Sequence, residues 1–154
     1  MTHAPQSPRP ARAFAAREAI LSCSGWNSRL AARRIAKFLE RRMEGCGLTL
    51  TQFALTAQIA AAEDDTVGGL SESMELDQST LSRNLRGLEA AGLVEIAIAE
   101  EDQRRRAVWL TETGARLLQK AIPVWRKAHA ALAQRVDPRL ALRLGAASEE
   151  LVDK

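Results

Sequence analysis

Thiols, imidazoles and guanidinium groups are the side chains with chemistry to offer in this sequence. Cys23 and Cys46 are candidate redox residues, a role that needs a lowered thiol pKa and access to solvent. Arg29 and Arg42 are the nearby cations. Cys46, between Gly45 and Gly47, is expected to be the accessible thiol and Cys23 a small buried residue. Inert thiols remain the cheaper reading. The histidines, His3 and His129, stand apart, with no C-x-x-C or H-x-x-x-H spacing, so neither a metal site nor a cofactor is expected. No nucleophile–base pair, paired carboxylates, phosphate loop or dinucleotide fingerprint is present, which argues against an enzyme. Arginine is the abundant reactive type, 18 residues against four lysines, and it suits bidentate and minor-groove contacts. The densest run is Arg104-Arg105-Arg106, with Arg83 and Arg86 upstream. A formal charge of +3 says little alone; where the arginines fall decides more.

The elements that must position these groups are mostly helical. At 154 residues the chain fits one domain, or a small lobe with a helical appendage. Hydrophobic residues make up 46%, but aromatics only 4%, and tyrosine is absent, so the core must be Leu, Ala, Ile and Val. No stretch approaches the roughly 18 apolar residues of a membrane span. The opening MTHAPQSPRPAR reads as a disordered tail over residues 1–10, not a signal or anchor, so a cytoplasmic location with reduced thiols is expected.

From Ala11 to Gly45 the pattern is helical, with Ala31, Ile35, Phe38, Leu39 and Met43 in one stripe and a possible interruption at Ser24-Gly25. Thr51 is predicted to cap a helix running to about Ala62. A short helix near Val67–Glu75 and a turn at Leu76-Asp77 follow. Asp77 should cap a second helix from Gln78 to about Ala91, closed by Gly92. The period then changes. Leu93–Ala99 and Ala107–Leu110 read as two short strands around a charged tip, Asp102–Arg106. Thr111 should cap a long helix striped by Leu118, Ala121, Ile122, Trp125, Ala128 and Leu132, which Pro123 is expected to kink or break. Asp137-Pro138 opens a last helix to about Val152.

The helix after Asp77 divides its labour. Leu81, Leu85 and Leu88 share one face; Ser79, Ser82, Arg83 and Arg86 share the opposite one at i, i+3, i+4, i+7. Such a helix can enter a major groove with its N-terminal residues at base edges. An arginine on the hairpin can enter a narrow minor groove. Arg105 and Arg106 would then touch phosphates or fold back, and Asp102 would orient an arginine. The fold expected is mainly α with a small β-wing: a winged helix-turn-helix lobe plus N- and C-terminal helices forming a dimerisation region. Their stripes exceed what one small lobe can cover, and pairing across a two-fold axis would bury them. It would set two recognition helices about 34 Å apart, one turn of DNA. Trp26, Phe53, Trp109 and Trp125 could line an effector pocket with Arg29 or His129, though core packing, with Trp109 structural, explains them more cheaply.

At these residues the sequence resembles the MarR family of transcriptional regulators. The matching stretches are LTLTQF (Leu48–Phe53), LDQSTLSRNLRGLEAAGLV (Leu76–Val94), the D-x-R of Asp102–Arg104 and LTETG (Leu110–Gly114), within roughly Trp26 to Leu132. The resemblance implies an obligate homodimer on a pseudo-palindromic operator in double-stranded DNA. It implies that Gln78, Ser79, Thr80, Ser82 and Arg83 read the major groove and Arg104 the minor groove. It also implies release by a small aromatic or anionic effector between lobes, for which Trp26, Arg29, Phe53, Trp125 and His129 are the candidates. The expected organisation is a tail (1–10), an N-terminal dimerisation region (11–47), the winged lobe (48–111) and C-terminal dimerisation helices (112–154). Two alternatives stand beside a ligand-responsive repressor: a redox switch on Cys23 or Cys46, and a winged-helix module for protein contact.

Overall fold

The protein is described from a computed structural model, with the backbone described for residues 10–99 and 102–151 and side chains for 13–97 and 106–151. The tail, His3, Glu100, Glu101 and Val152 lie outside the described residues. So do the side chains of Asp102, Arg104 and Arg105. Compact packing divides the chain after Lys37, and the two units are taken in turn.

The first unit holds α1 (Pro10–Ser22) and the start of α2 (Ser24–Met43). The break falls at Cys23, one residue before the expected Ser24-Gly25, because Cys23 caps α2: its Sγ accepts the Trp26 N–H at 3.4 Å. Cys23 is consequently exposed, not buried as expected. Arg33 lies over the Trp26 ring, 5.4 Å from its centroid. Phe14, Ile20 and Leu21 stay exposed on α1.

The second unit carries the winged lobe. Gly45 and Gly47, both at positive φ, turn the chain out of α2 into α3 (Leu50–Ala61). Cys46 between them is only half-buried, its Sγ donating to the Leu48 carbonyl at 3.3 Å. The cap of α3 is Thr49, not the expected Thr51. Thr49 Oγ1 accepts the Gln52 N–H and Gln52 Oε1 accepts the Thr49 N–H, a reciprocal box that Thr51 has no partner to make. Next come α4 (Val67–Ser73) and α5 (Gln78–Ala90), joined by a turn in which Glu75 takes φ +49°. Leu70, Leu81, Leu85 and Leu88 interlock beneath the turn, each at most 2% exposed. Burial of each such side chain contributes about 1.5–3 kcal/mol.

Strands β1 (Val94–Ala99) and β2 (Asp102–Leu110) pair antiparallel, from Val94 opposite Leu110 to Ala99 opposite Asp102. Thus β2 starts five residues earlier than the apolar pattern predicted. Arg106 pairs with Ile98, and residues 103–105 form an irregularity in the ladder. A ladder bonds through backbone groups, so charged side chains do not end it, and bulges collect at such edges. The α3–α4 connection adds to the outer edge of β2 through the Thr66–Ala107 bridge and a Val108 N–H to Asp65 carbonyl bond of 2.8 Å.

Helix α6 (Glu112–Ala133), capped by Thr111 as expected, runs unbroken through Pro123. Pro123 and Gln119 are exposed, where the carbonyl robbed of its partner can be hydrated, while Leu118, Ala121 and Ala128 are buried on either side. Helix α7 (Pro138–Ser148), capped by Asp137, ends in a 3-10 turn over Glu149–Leu151. It buries none of its residues in the single chain.

Candidate nucleic-acid interface

Helix α5 presents the predicted split. Its leucines are sealed, while Gln78, Ser79, Arg83 and Arg86 are exposed and Thr80 and Ser82 half-buried. Among the described residues no carboxylate lies within 4.0 Å of Arg83, Arg86 or Arg106. Among those residues nothing neutralises their charge, which suits a polyanion.

Asp77 builds the front end of this helix. Its Oδ1 accepts the Ser79 hydroxyl at 2.5 Å and the Thr80 N–H at 2.9 Å. The Ser79 bond first, then the Thr80 backbone bond, hold its carboxyl far below the usual carboxylate range. The Ser79 hydroxyl proton is thereby committed, leaving acceptor lone pairs for a base amine. Because the folded-state pKa is depressed, this cap is at full strength above the ordinary carboxylate value of 3.8 and is lost as pH falls below it. Asp77→Ala is expected to lower the melting temperature by a few degrees at neutral pH and by less at pH 3. A loss that does not shrink in acid would contradict the cap.

Two clefts flank α5. On one side Ser82, Arg86 and Glu89 face Val67 of α4 and Ile96 and Arg106 of the wing across about 320 Å³. On the other side Arg83 and Asn84 face Thr49, Thr51 and Gln52 of α3 across about 330 Å³. Sequence reading gave Thr51 only a capping role, which Thr49 fills instead, and assigned nothing to Asn84. Helical spacing shows which residues share a face, not which neighbour that face meets.

The wing joins α6 through a close approach. Thr111 N–H donates to the Leu93 carbonyl (3.1 Å), and Thr111 Oγ1 donates to the Gly92 carbonyl (2.7 Å) while accepting the Gly114 N–H (3.0 Å). On the wing, Trp109 is 40% exposed, and its Nε1 donates to Glu95 Oε2 across the strands at 3.1 Å.

The candidate effector residues are divided between the two units. Phe53 and Trp125 stack at 5.7 Å, and His129 tilts against Trp125 at 4.3 Å. Desolvation holds the His129 imidazole below its ordinary pKa, favouring the neutral form. Trp26 and Arg29 belong to the first unit, where the cation over Trp26 is Arg33 and not Arg29. Among the described residues no cluster of three metal-ligating side chains occurs. Among the same residues no helix is long and apolar enough to cross a membrane.

Residues 47–105 match the profile of the MarR family. Transcriptional regulator HosA of Escherichia coli is 34% identical over 104 residues, covering 68% of this chain and 71% of that protein. The organic hydroperoxide resistance transcriptional regulator of Bacillus subtilis is 30% identical over 93 residues, 60% of this chain and 63% of its own length. The Mycobacterium tuberculosis regulator MosR, solved in complex with DNA, superposes with a TM-score of 0.74 at 32% identity, over 84% of this chain and 98% of its own. Sequence and fold agree, and this chain belongs to the MarR family of winged helix-turn-helix transcriptional regulators, which are not enzymes.

Proposed function

We propose that this protein is a sequence-specific DNA-binding regulator that occupies a pseudo-palindromic operator as a homodimer and represses from it. The observation that carries the reading is α5 itself: an exposed Ser/Arg face whose guanidinium groups meet no carboxylate among the described residues, set beside a two-stranded wing over a sealed leucine floor. The DNA complex of MosR supports it. Gln78, Ser79, Thr80, Ser82 and Arg83 read base edges, Arg86 and Arg105 hold the backbone, and Arg104 enters the minor groove. Residues 48–111 are the DNA-binding lobe, flanked by dimerisation regions at 11–47 and 112–154. The reading is tested by titrating the protein into duplex at several salt concentrations: binding whose affinity falls steeply with salt supports it, and indifference to duplex at low salt refutes it.

Homodimerisation draws support from α7. Leu140, Leu142 and Leu144 are 55%, 74% and 54% exposed, and Leu140 and Leu144 share a face one turn apart. The pair of substitutions Leu140→Glu and Leu144→Glu should convert a dimer to monomer in sedimentation and abolish operator binding at working concentrations. An unchanged mass would contradict the assigned interface.

Effector control would run through Phe53, Trp125 and His129, which already form one aromatic column. Redox control is the second reading, favoured by the exposed Cys23 at the cap of α2 and by the likeness to the hydroperoxide resistance regulator. Oxidant titration of duplex affinity in the Cys23→Ser and Cys46→Ser variants separates the two.

A further inference from the structure

The cleft between α5 and α3 has features that the folding of the chain alone does not explain. Thr51, Arg83 and Asn84 bring a hydroxyl, a guanidinium and an amide to it from two elements, and among the described residues none of these groups has a protein hydrogen-bond partner. No carboxylate lines it, whereas the cleft on the wing side includes Glu89. The Thr49–Gln52 box takes up two N–H donors at the end of α3, those of Thr49 and Gln52, and leaves the Thr51 hydroxyl unengaged.

Gly87 is the independent observation. It sits inside α5 and lines the same cleft, yet a β-carbon placed there would meet nothing within 4 Å. Its φ is not among the positive values, so neither backbone conformation nor packing calls for glycine. Glycine inside a helix is unfavourable, and where the fold gains nothing from it, the remaining use of a missing side chain is close approach by another molecule. The neighbouring donors are those that bind phosphate oxygens.

We propose that this cleft is a seat for one backbone phosphodiester of the bound duplex, held by the Asn84 amide and the Thr51 hydroxyl, with Gly87 leaving room for the sugar–phosphate chain. The proposal rests on the DNA-binding reading and deepens it. Asn84 and Thr51 fix the register of α5 in the groove and carry no base preference; Arg83 spans the cleft's rim and the base edges.

The test compares wild type, Asn84→Ala and Gly87→Leu on two duplexes, one selected by the wild-type protein from a random pool and one of unrelated sequence, with thermal melts alongside. Asn84→Ala should weaken both by a similar factor, about tenfold, leaving their ratio unchanged. Gly87→Leu should raise the melting temperature while weakening both duplexes, a split in sign that a structural role would not give. Unchanged affinities in both variants, or a changed ratio between the duplexes, overturns the seat. Wild-type protein that binds neither duplex removes the DNA reading and the seat together. If duplex affinities hold while inorganic phosphate at constant ionic strength raises the melting temperature of wild type but not of Asn84→Ala, the site takes free phosphate and the proposal fails.

Discussion

Replacing Gly114 by alanine should lower the melting temperature by on the order of 10 °C, although the substitution adds one methyl group to a helix. Alanine is ordinarily the better helix former by about 1 kcal/mol. At Gly114 the sign reverses. A β-carbon there would fall on the Leu93 backbone, 2.9 Å from its carbonyl carbon and closer still to its oxygen. No rotamer relieves this, since both partners are main chain. Separating them means moving the first turn of α6 off β1, and so straining the Thr111 N–H bond to Leu93 and the Thr111 hydroxyl bond to Gly92. Overpacking against side chains costs about 1–3 kcal/mol, and against fixed backbone the upper end is the expectation. That is a large share of the roughly 5–15 kcal/mol that stabilises a domain. Gly87 in α5 is the control: a β-carbon there meets nothing within 4 Å, so Gly87→Ala should be neutral or stabilising. Equal melting of the Gly114→Ala variant and wild type would show that the wing and α6 are not clamped at this point.

Substituting Arg83 should collapse discrimination between operator and unrelated DNA. Arg83 is exposed on the face opposite Leu81, Leu85 and Leu88, in the first half of α5, and has no carboxylate partner among the described residues. A bidentate contact to a guanine edge is worth about 1–3 kcal/mol of discrimination. Arg83→Ala should therefore weaken operator binding by about 5- to 150-fold, while unrelated duplex loses only the contribution of one charge. Arg83→Lys keeps that charge and loses the planar fork, so it should bind unrelated duplex as wild type does and still discriminate poorly. Equal losses on both duplexes would instead make Arg83 a phosphate contact.

The sequence revealed what local chemistry dictates. Asp77, Thr111 and Asp137 each satisfy a helix start with their own side chain and Gly92 closes α5, so the starts of α5, α6 and α7 and the end of α5 were readable from single residues. Helix α7, by contrast, stops at Ser148, short of the expected Val152. Leu81, Leu85 and Leu88 declared their face through spacing, and the opposite face followed. Features set by partners distant in the chain were hidden. The early start of β2 depends on backbone pairing with β1, to which the polar run 102–106 gives no clue. The exposure of Cys23 depends on where one helix stops and another starts, and a misplaced break inverted the expected accessibility of the two thiols. Pro123, expected to kink or break α6, does not break it, because continuity depends on what the helix buries on either side. Gly114 was visible within LTETG, but its reason, the Leu93 carbonyl, lies on another element. The Thr51–Asn84 cleft arises only once α3 and α5 are packed.

The central claim is that a dimer of this chain grips duplex DNA through α5 and the wing. The most direct test is a fluorescence-anisotropy titration of the purified protein into duplex at several salt concentrations, with its mass in solution determined alongside. The account predicts a dimer whose log affinity falls linearly and steeply as log salt rises. A dimer that ignores duplex at low salt, or a stable monomer, would contradict it.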